Sequence, residues 1–167
     1  MALLPTLTSF NCFACSPSHP KGLHMRFQSD GPGRIRSDIT LSGDYVGLGT
    51  VVHGGVVATV FDEAMAWVLY RHRYAAHLTA TMEVRFRGVI SPDTPLVVTA
   101  WINEDRGTRV KVSAVIATAT DPTTIVAEAK GLYVKAPDSV LHEVPASQRA
   151  ELETVFASYR ETDAGGG

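Results

Sequence analysis

HGGVVATVFDEAMAWVLYRHR, residues 53–73, decides how this chain folds. It contains no proline, and its apolar residues (Val56, Val57, Val60, Phe61, Ala64, Met65, Trp67, Val68, Leu69) point in nearly every helical direction. A helix that is apolar all round is a buried helix. Several of these residues are β-branched, but a run of about twenty residues is too long for one strand. The run from Val51 to Tyr70 is also long enough to span a bilayer, yet Asp62 and Glu63 stand in its middle. Two carboxylates there are costly in lipid, so a core helix is the reading adopted.

On either side of this helix the pattern changes to period two. Leu23 to Ser29 and Arg34 to Leu41 alternate apolar and polar residues, with Gly31-Pro32-Gly33 as a turn between them. Residues 42–50 carry three glycines and read as a loop. After the helix come four strand-like runs, 79–90, 96–103, 109–119 and 125–135. In the first, Met82, Val84 and Phe86 face one way and Thr81, Glu83, Arg85 and Arg87 the other. Short turns at 91–95, around Gly107 and at Asp121-Pro122 make these runs antiparallel neighbours. Two strands, one buried helix and four more strands indicate an α+β fold. Residues 1–20 read as an irregular arm and 21–136 as the globular unit. Residues 137–167 read as a short amphipathic helix over 146–160 and a flexible tail ending in DAGGG.

The 167 residues are 45% apolar and 19% charged, enough for one domain with a full core. Fifteen Lys and Arg against seventeen Asp and Glu leave a net charge of −2. That balance argues against nucleic acid or a membrane surface as a partner. Only two cysteines occur, Cys12 and Cys15, and the N-terminus has neither a basic region nor a long apolar run. A reducing cytoplasm is therefore expected. Cys12, Cys15, His19 and His24 superficially resemble four zinc ligands, but the cysteine-to-histidine gap is far shorter than in a zinc finger. Cysteines packed under a sheet edge are the expectation, with no metal or cofactor.

Two features of the helix carry chemistry. Asp62 and Glu63 lie in its most apolar part and point about 100° apart. One can face the core while the other faces a cleft. Gly54 and Gly55 open the helix where backbone N–H groups are free and the dipole is positive, a setting for an anion or a developing oxyanion. Gly54 and Asp62 are eight residues apart, about 12 Å along one helix axis. They cannot both touch one reacting carbonyl within a single chain. Two helices packed antiparallel bring each N-terminus to the other chain's Asp62, so a shared site requires at least a dimer.

The segment HGGVVATVFDEAM resembles the signature of the PaaI-like (phenylacetyl-CoA thioesterase-like) hotdog thioesterases. CFACSPSHPKGLHM resembles the opening of that family, LTATMEVRFRGVI the strand after its helix, and EAKGLYVK its closing strand. The resemblance covers residues 12–136. It implies a hotdog fold, an antiparallel sheet wrapped round one long helix, in dimers that pair into tetramers. It implies cleavage of acyl-CoA thioesters without a cofactor. By position, Asp62 corresponds to the catalytic carboxylate, as nucleophile or general base. Gly54 corresponds to the N–H that polarises the thioester carbonyl, with Gly55 beside it. Thr79 corresponds to a hydroxyl that orients water from the other subunit. His53 is expected to hold the loop rather than move a proton, and Glu63 to share or replace the role of Asp62. One carboxylate and one oxyanion donor can suffice because a thiolate leaves readily.

Departures from the family pattern are Gly47 where some members carry Asn, Gly88 after Arg87, Ser16 after the second cysteine, and His19 before Pro20. Arg85, Arg87, Arg106 and Arg109 are candidates for the phosphates of CoA. Phe61, Met65 and Trp67 are candidates for an acyl pocket, with helix core the commoner use of such residues. Tyr70, His72 and Tyr74 near the helix end are candidates for an acyl tunnel. A hydratase needs a His paired with a carboxylate in a different motif, which is not found. A non-catalytic acyl-CoA-binding protein and a redox or metal module built on the two cysteines are the other readings.

Overall fold

Six antiparallel strands form one sheet that curls round a single long helix. The computed structural model describes residues 2–165. In chain order the elements are β1 (Gln28–Ser29), β2 (Arg34–Thr40), α1 (Gly54–Arg73), β3 (His77–Phe86), β4 (Pro95–Asp105), β5 (Arg109–Thr118), β6 (Ile125–Lys135), α2 (Asp138–Glu143) and α3 (Ala146–Gly165). The strand order across the sheet is β1-β2-β4-β5-β6-β3. This is the α+β arrangement expected from the pattern and the hotdog fold that the resemblance implies. No helix among the described residues is long and apolar enough to cross a membrane.

α1 starts where its sequence provides a cap. His53 is extended, and its Nδ1 accepts the Gly55 N–H at 2.9 Å. Arg71, His72 and Arg73 occupy the last turn, where positive charge complements the helix dipole. Along its length Val57, Val60, Phe61, Ala64, Met65, Trp67, Val68 and Leu69 are all buried. Phe61, Met65 and Trp67 are thus core residues, not the lining of an open acyl pocket. They pack on Val98 and Ala100 of β4, on Val110, Val112, Ala114 and Ile116 of β5, and on Ala127, Ala129 and Tyr133 of β6, all buried in the same cluster.

β3 is different. It pairs only with β6 and leaves its other edge open, and most of its residues are exposed. Leu78 and Phe86 stand out among them as large exposed apolar side chains. The opposite edge of the sheet is protected, because β1 has only two residues and Leu3 of the arm bridges to Gln28.

Several boundaries differ from the expectation, each for a physical reason. Of residues 23–29 only Gln28 and Ser29 join the sheet. The Leu23 and Met25 N–H groups donate instead to Phe13 and Ala14 carbonyls of the arm, and the Leu4 N–H donates to Phe27 O. The arm has little regular structure, as expected, but it is docked: Leu4, Leu7, Ala14 and Cys15 are buried in the core. β3 runs over 77–86 rather than 79–90, because the Arg87 and Gly88 N–H groups both converge on Val126 O and end the ladder. The short helix α2 was not anticipated.

The C-terminal helix is the larger correction. It continues past residue 160 to Gly165, so Asp163 to Gly165 of the expected flexible tail are helical; Gly166 and Gly167 lie outside the described residues. The cause is Asp163. Its carboxylate accepts a bidentate pair of bonds from Arg71 at 2.6 and 2.7 Å and a further bond from the Tyr74 hydroxyl. Tyr74 caps α1 at a positive φ of 51°, a conformation that a non-glycine residue adopts at some cost. Leu152, Val155, Phe156 and Tyr159 bury the inner face of α3, and Tyr70 packs its ring 5.7 Å from that of Phe156. Tyr70 and Tyr74 therefore serve the helix–helix junction, whereas His72 Nε2 lies beside Arg34 O of β2. Asp163→Ala should leave the sheet intact and loosen only this junction. We expect a loss of about 1 kcal/mol or less, since the pair is partly solvated. Hydrogen exchange should then accelerate over the last two turns of α3 and not in β4 to β6.

Candidate active site

Asp62 is half-buried, on the side of α1 that faces the β6–β3 edge of the sheet. Its carboxylate Oδ1 accepts two hydroxyls of the same chain, Thr79 Oγ1 at 2.5 Å and Tyr133 Oη at 2.9 Å. Oδ2 has no hydrogen-bond partner among the described residues. One oxygen of the carboxylate is thereby anchored and the other is left for chemistry. Tyr133 is fully buried, and burial together with the Asp62 charge holds its phenol well above the usual range. It can donate to Asp62 but does not act as a base near neutral pH. Sequence reasoning missed Tyr133. Its only signal was an aromatic residue at an inward position of the last strand, which reads as core.

The placement of Thr79 depends on a bulge. Thr79 faces Tyr133 across the β3–β6 ladder, but Thr81 faces Leu132, so Ala80 is an extra residue. Met82 lies opposite Gly131, whose own Cβ position is lined by Met65 of α1, so this is the helix side of the sheet. By strict alternation Thr79 would share the outward side of Thr81 and Glu83. One inserted residue reverses the parity and turns Thr79 towards α1. Thr79 was expected to serve the other subunit's site; here it bonds the Asp62 of its own chain. Tyr133 is seated as tightly, since a Cβ on Gly131 would lie 2.6 Å from its ring.

The helix entrance sits two turns from Asp62. The Gly55 N–H is already taken by His53 Nδ1, and the Val56 and Val57 N–H groups point to His53 O. The Gly54 N–H has no acceptor among the described residues. It is the one amide at this end available to a ligand. Phe86, near the end of β3, stands over it: a Cβ on Gly54 would meet the ring at 3.2 Å. Gly47, the position where some related sequences carry Asn, is pressed against His53, and a Cβ there would lie 3.0 Å from the imidazole. The His53 N–H itself donates to Tyr45 O at 2.8 Å. His53 thus shapes the loop through its backbone and caps the helix through Nδ1.

Glu63 points elsewhere. Its Oε1 accepts the Trp67 indole N–H at 2.9 Å, and its Oε2 lies 3.6 Å from Cys12 Sγ. Burial pushes the Glu63 carboxyl up to about 7, and the nearby Cys12 adds to this. The neighbouring Cys15 thiol brings Cys12 down to about 5, while Cys15 itself is raised. Adjacent in sequence, the two carboxylates serve different surroundings.

The arginines do not gather at Asp62. Arg85 and Arg87 share Glu128, at 3.8 and 2.7 Å, on the sheet face away from α1. Arg109 lies on that same outer face beside Glu104, Arg106 and Lys111, with no ion-pair partner among the described residues.

The profile of the thioesterase superfamily matches residues 49–125. No curated protein sequence matches the chain. Among solved structures, a thioesterase superfamily protein is 25% identical with a TM-score of 0.63, over 72% of this chain and 61% of its own, so the present chain spans less than two thirds of it. The Escherichia coli PaaI protein from the phenylacetic acid degradation operon is 17% identical with a TM-score of 0.63, over 70% of this chain and 83% of its own. A Streptococcus mutans protein bound to acetyl-CoA is 13% identical with a TM-score of 0.61, over 67% of this chain and 88% of its own. The last two likenesses concern the fold. Over residues 49–125 the chain matches the thioesterase superfamily, and it has the hotdog fold of PaaI.

Proposed function

We propose that the protein is an acyl-CoA thioesterase that works as a dimer or tetramer. The observation that carries this reading is a carboxylate with one oxygen anchored by Thr79 and Tyr133, on the same helix as an unused Gly54 N–H. The two lie about 12 Å apart along the axis, so one thioester cannot meet both within a chain. In the proposed dimer the α1 helices run antiparallel, and each site combines Asp62 of one subunit with Gly54 of the other. The open edge of β3 and its exposed Leu78 and Phe86 support an interface here, because a long bare strand edge invites pairing.

The chemistry follows from these groups. The thioester carbonyl oxygen accepts the Gly54 N–H, which stabilises the oxyanion as it forms. Asp62 Oδ2 either takes a proton from water or attacks the carbonyl carbon itself. The C–S bond breaks and CoA leaves as the thiolate; water, by direct addition or by hydrolysing the acyl–Asp62 anhydride, gives its oxygen and one proton to the free acid, and its other proton passes through Asp62 to the thiolate. Thr79 and Tyr133 act as positioning residues through Oδ1. His53 keeps the loop shaped and Gly55 completes the cap, while Glu63 is turned away and does not substitute for Asp62. For the anionic end of CoA, Arg109 is the readier candidate. Arg85 and Arg87 would have to release Glu128. No metal or cofactor enters these steps.

Release of free thiol from a panel of acyl-CoAs tests the reading. Asp62→Asn should lower kcat by roughly 10²-fold or more, the usual reach of a positioned base. Full activity in that variant would remove Asp62 from the mechanism. CoA binding with no thiol release from any substrate would replace hydrolysis by the non-catalytic binding reading. Tyr133→Phe should lower kcat by about 10-fold with little change in KM, since it acts through Asp62 and not on the substrate. Gly131→Ala should also destabilise the fold, by about 1–3 kcal/mol, because the new methyl overpacks against the Tyr133 ring. Light scattering should give a dimer or larger; a monomer at every concentration that retains full activity would refute the shared site.

A further inference from the structure

Cys12 and Cys15 have no part in the hydrolytic reading, and neither does the face of α1 that they touch. The arm turns tightly at 12–16, with the Ser16 N–H donating to Cys12 O at 3.1 Å. That turn brings both sulfurs to Glu63. The two Sγ atoms and a Glu63 carboxylate oxygen all lie within 4.8 Å of one another. From these positions the geometry points to a zinc site: we propose that Cys12, Cys15 and Glu63 bind one Zn²⁺ per chain, with the remaining position filled from solvent.

Four observations carry it. The Ala14 and Cys15 N–H groups point at Cys12 Sγ, at 3.3 and 3.4 Å, an arrangement that favours the thiolate a metal needs. Glu63 is held from behind by the Trp67 indole at 2.9 Å, which leaves Oε2 on the side of the sulfurs. Trp67 is itself fixed, stacked on Phe27 with centroids 5.1 Å apart. Such outer support is what orients a metal ligand. Finally, Glu63 forms no ion pair among the described residues; the arginines and lysines that do so pair with other carboxylates. Gathered without a cation of the protein's own, these two thiols and one carboxyl offer anionic ligands whose mutual repulsion a divalent ion relieves.

The donor set selects the metal. Two thiolates and one carboxylate suit zinc, whereas Mg²⁺ and Ca²⁺ prefer oxygen alone. Binding releases the two thiol protons to solvent. The histidines suggested by the sequence are not part of the site: His24 Nε2 lies 2.7 Å from His19 O, and His19 Nδ1 accepts the Lys21 N–H. The ion would tie the irregular arm to α1 beside Asp62, as a structural clamp.

The whole chain, purified without chelator, should retain about one zinc per chain by elemental analysis. After stripping under reducing conditions, added Co²⁺ should produce a thiolate-to-cobalt charge-transfer band. Cys12→Ser should abolish that band. Glu63→Gln should keep it but weaken metal binding by about 10-fold or more. The proposal is overturned if the wild-type protein neither retains zinc nor gives the band, a test that needs no variant to fold. It is equally overturned if Cys12→Ser leaves the band unchanged, or if mass analysis finds Cys12 and Cys15 joined as a disulfide in protein kept from oxidants.

Discussion

Helix α1 carries apolar side chains on almost every bearing, and most of the molecule is arranged by the need to cover them. β4, β5 and β6 take the broadest face. The arm brings Leu4, Leu7 and Ala14 to another, and α3 adds Phe156 and Tyr159 near the C-terminal end. Each cover is made from a different part of the chain, so burial of this one helix ties the termini to the middle. The arginine and tyrosine at the end of α1 extend that logic to polar groups, since both find their partner in Asp163.

What the cover leaves open is as informative as what it closes. The free amide of Gly54 and the free oxygen of Asp62 both belong to the side flanked by β3, the strand with an unpaired edge. A polar group kept near a core must be satisfied or used. Asp62 is half satisfied, through Oδ1 alone. Glu63, one residue on, is enclosed by Trp67 and the two cysteines. A rotation of 100° along one helix therefore separates a carboxylate anchored by two hydroxyls from one enclosed with an indole and two thiols.

The positioning of Asp62 rests on small backbone departures. The extra residue at Ala80 turns Thr79 inward, and the missing side chain at Gly131 makes room for the Tyr133 ring. Gly47 likewise allows His53 to approach the loop closely, so the absence of an Asn there has a packing consequence as well as a chemical one. Neither a period-two pattern nor a glycine count reveals such details, because each is defined by the atoms across from it.

The amino-acid order by itself determined the helix, its glycine entrance and the alternation of β2, β4, β5 and β6, because these depend on neighbours a few residues apart. It also identified Asp62 and Gly54 as unusual, since a carboxylate in an apolar run and a glycine pair at a helix entrance are visible in one dimension. It placed Asp163 in a loose tail, read residues 23–29 as a full strand and did not single out Tyr133. Those features depend on contacts outside the local pattern: Tyr133 with Asp62 at 71 positions, Arg71 with Asp163 at 92, and the Leu23 and Met25 amides with arm carbonyls 10 and 11 positions back. The pairing of Cys12 with Glu63, 51 positions on, belongs with them. Only the tertiary structure decided these, because the energy of a hydrogen bond or an ion pair depends on the partner that folding brings near, and local pattern carries no record of it.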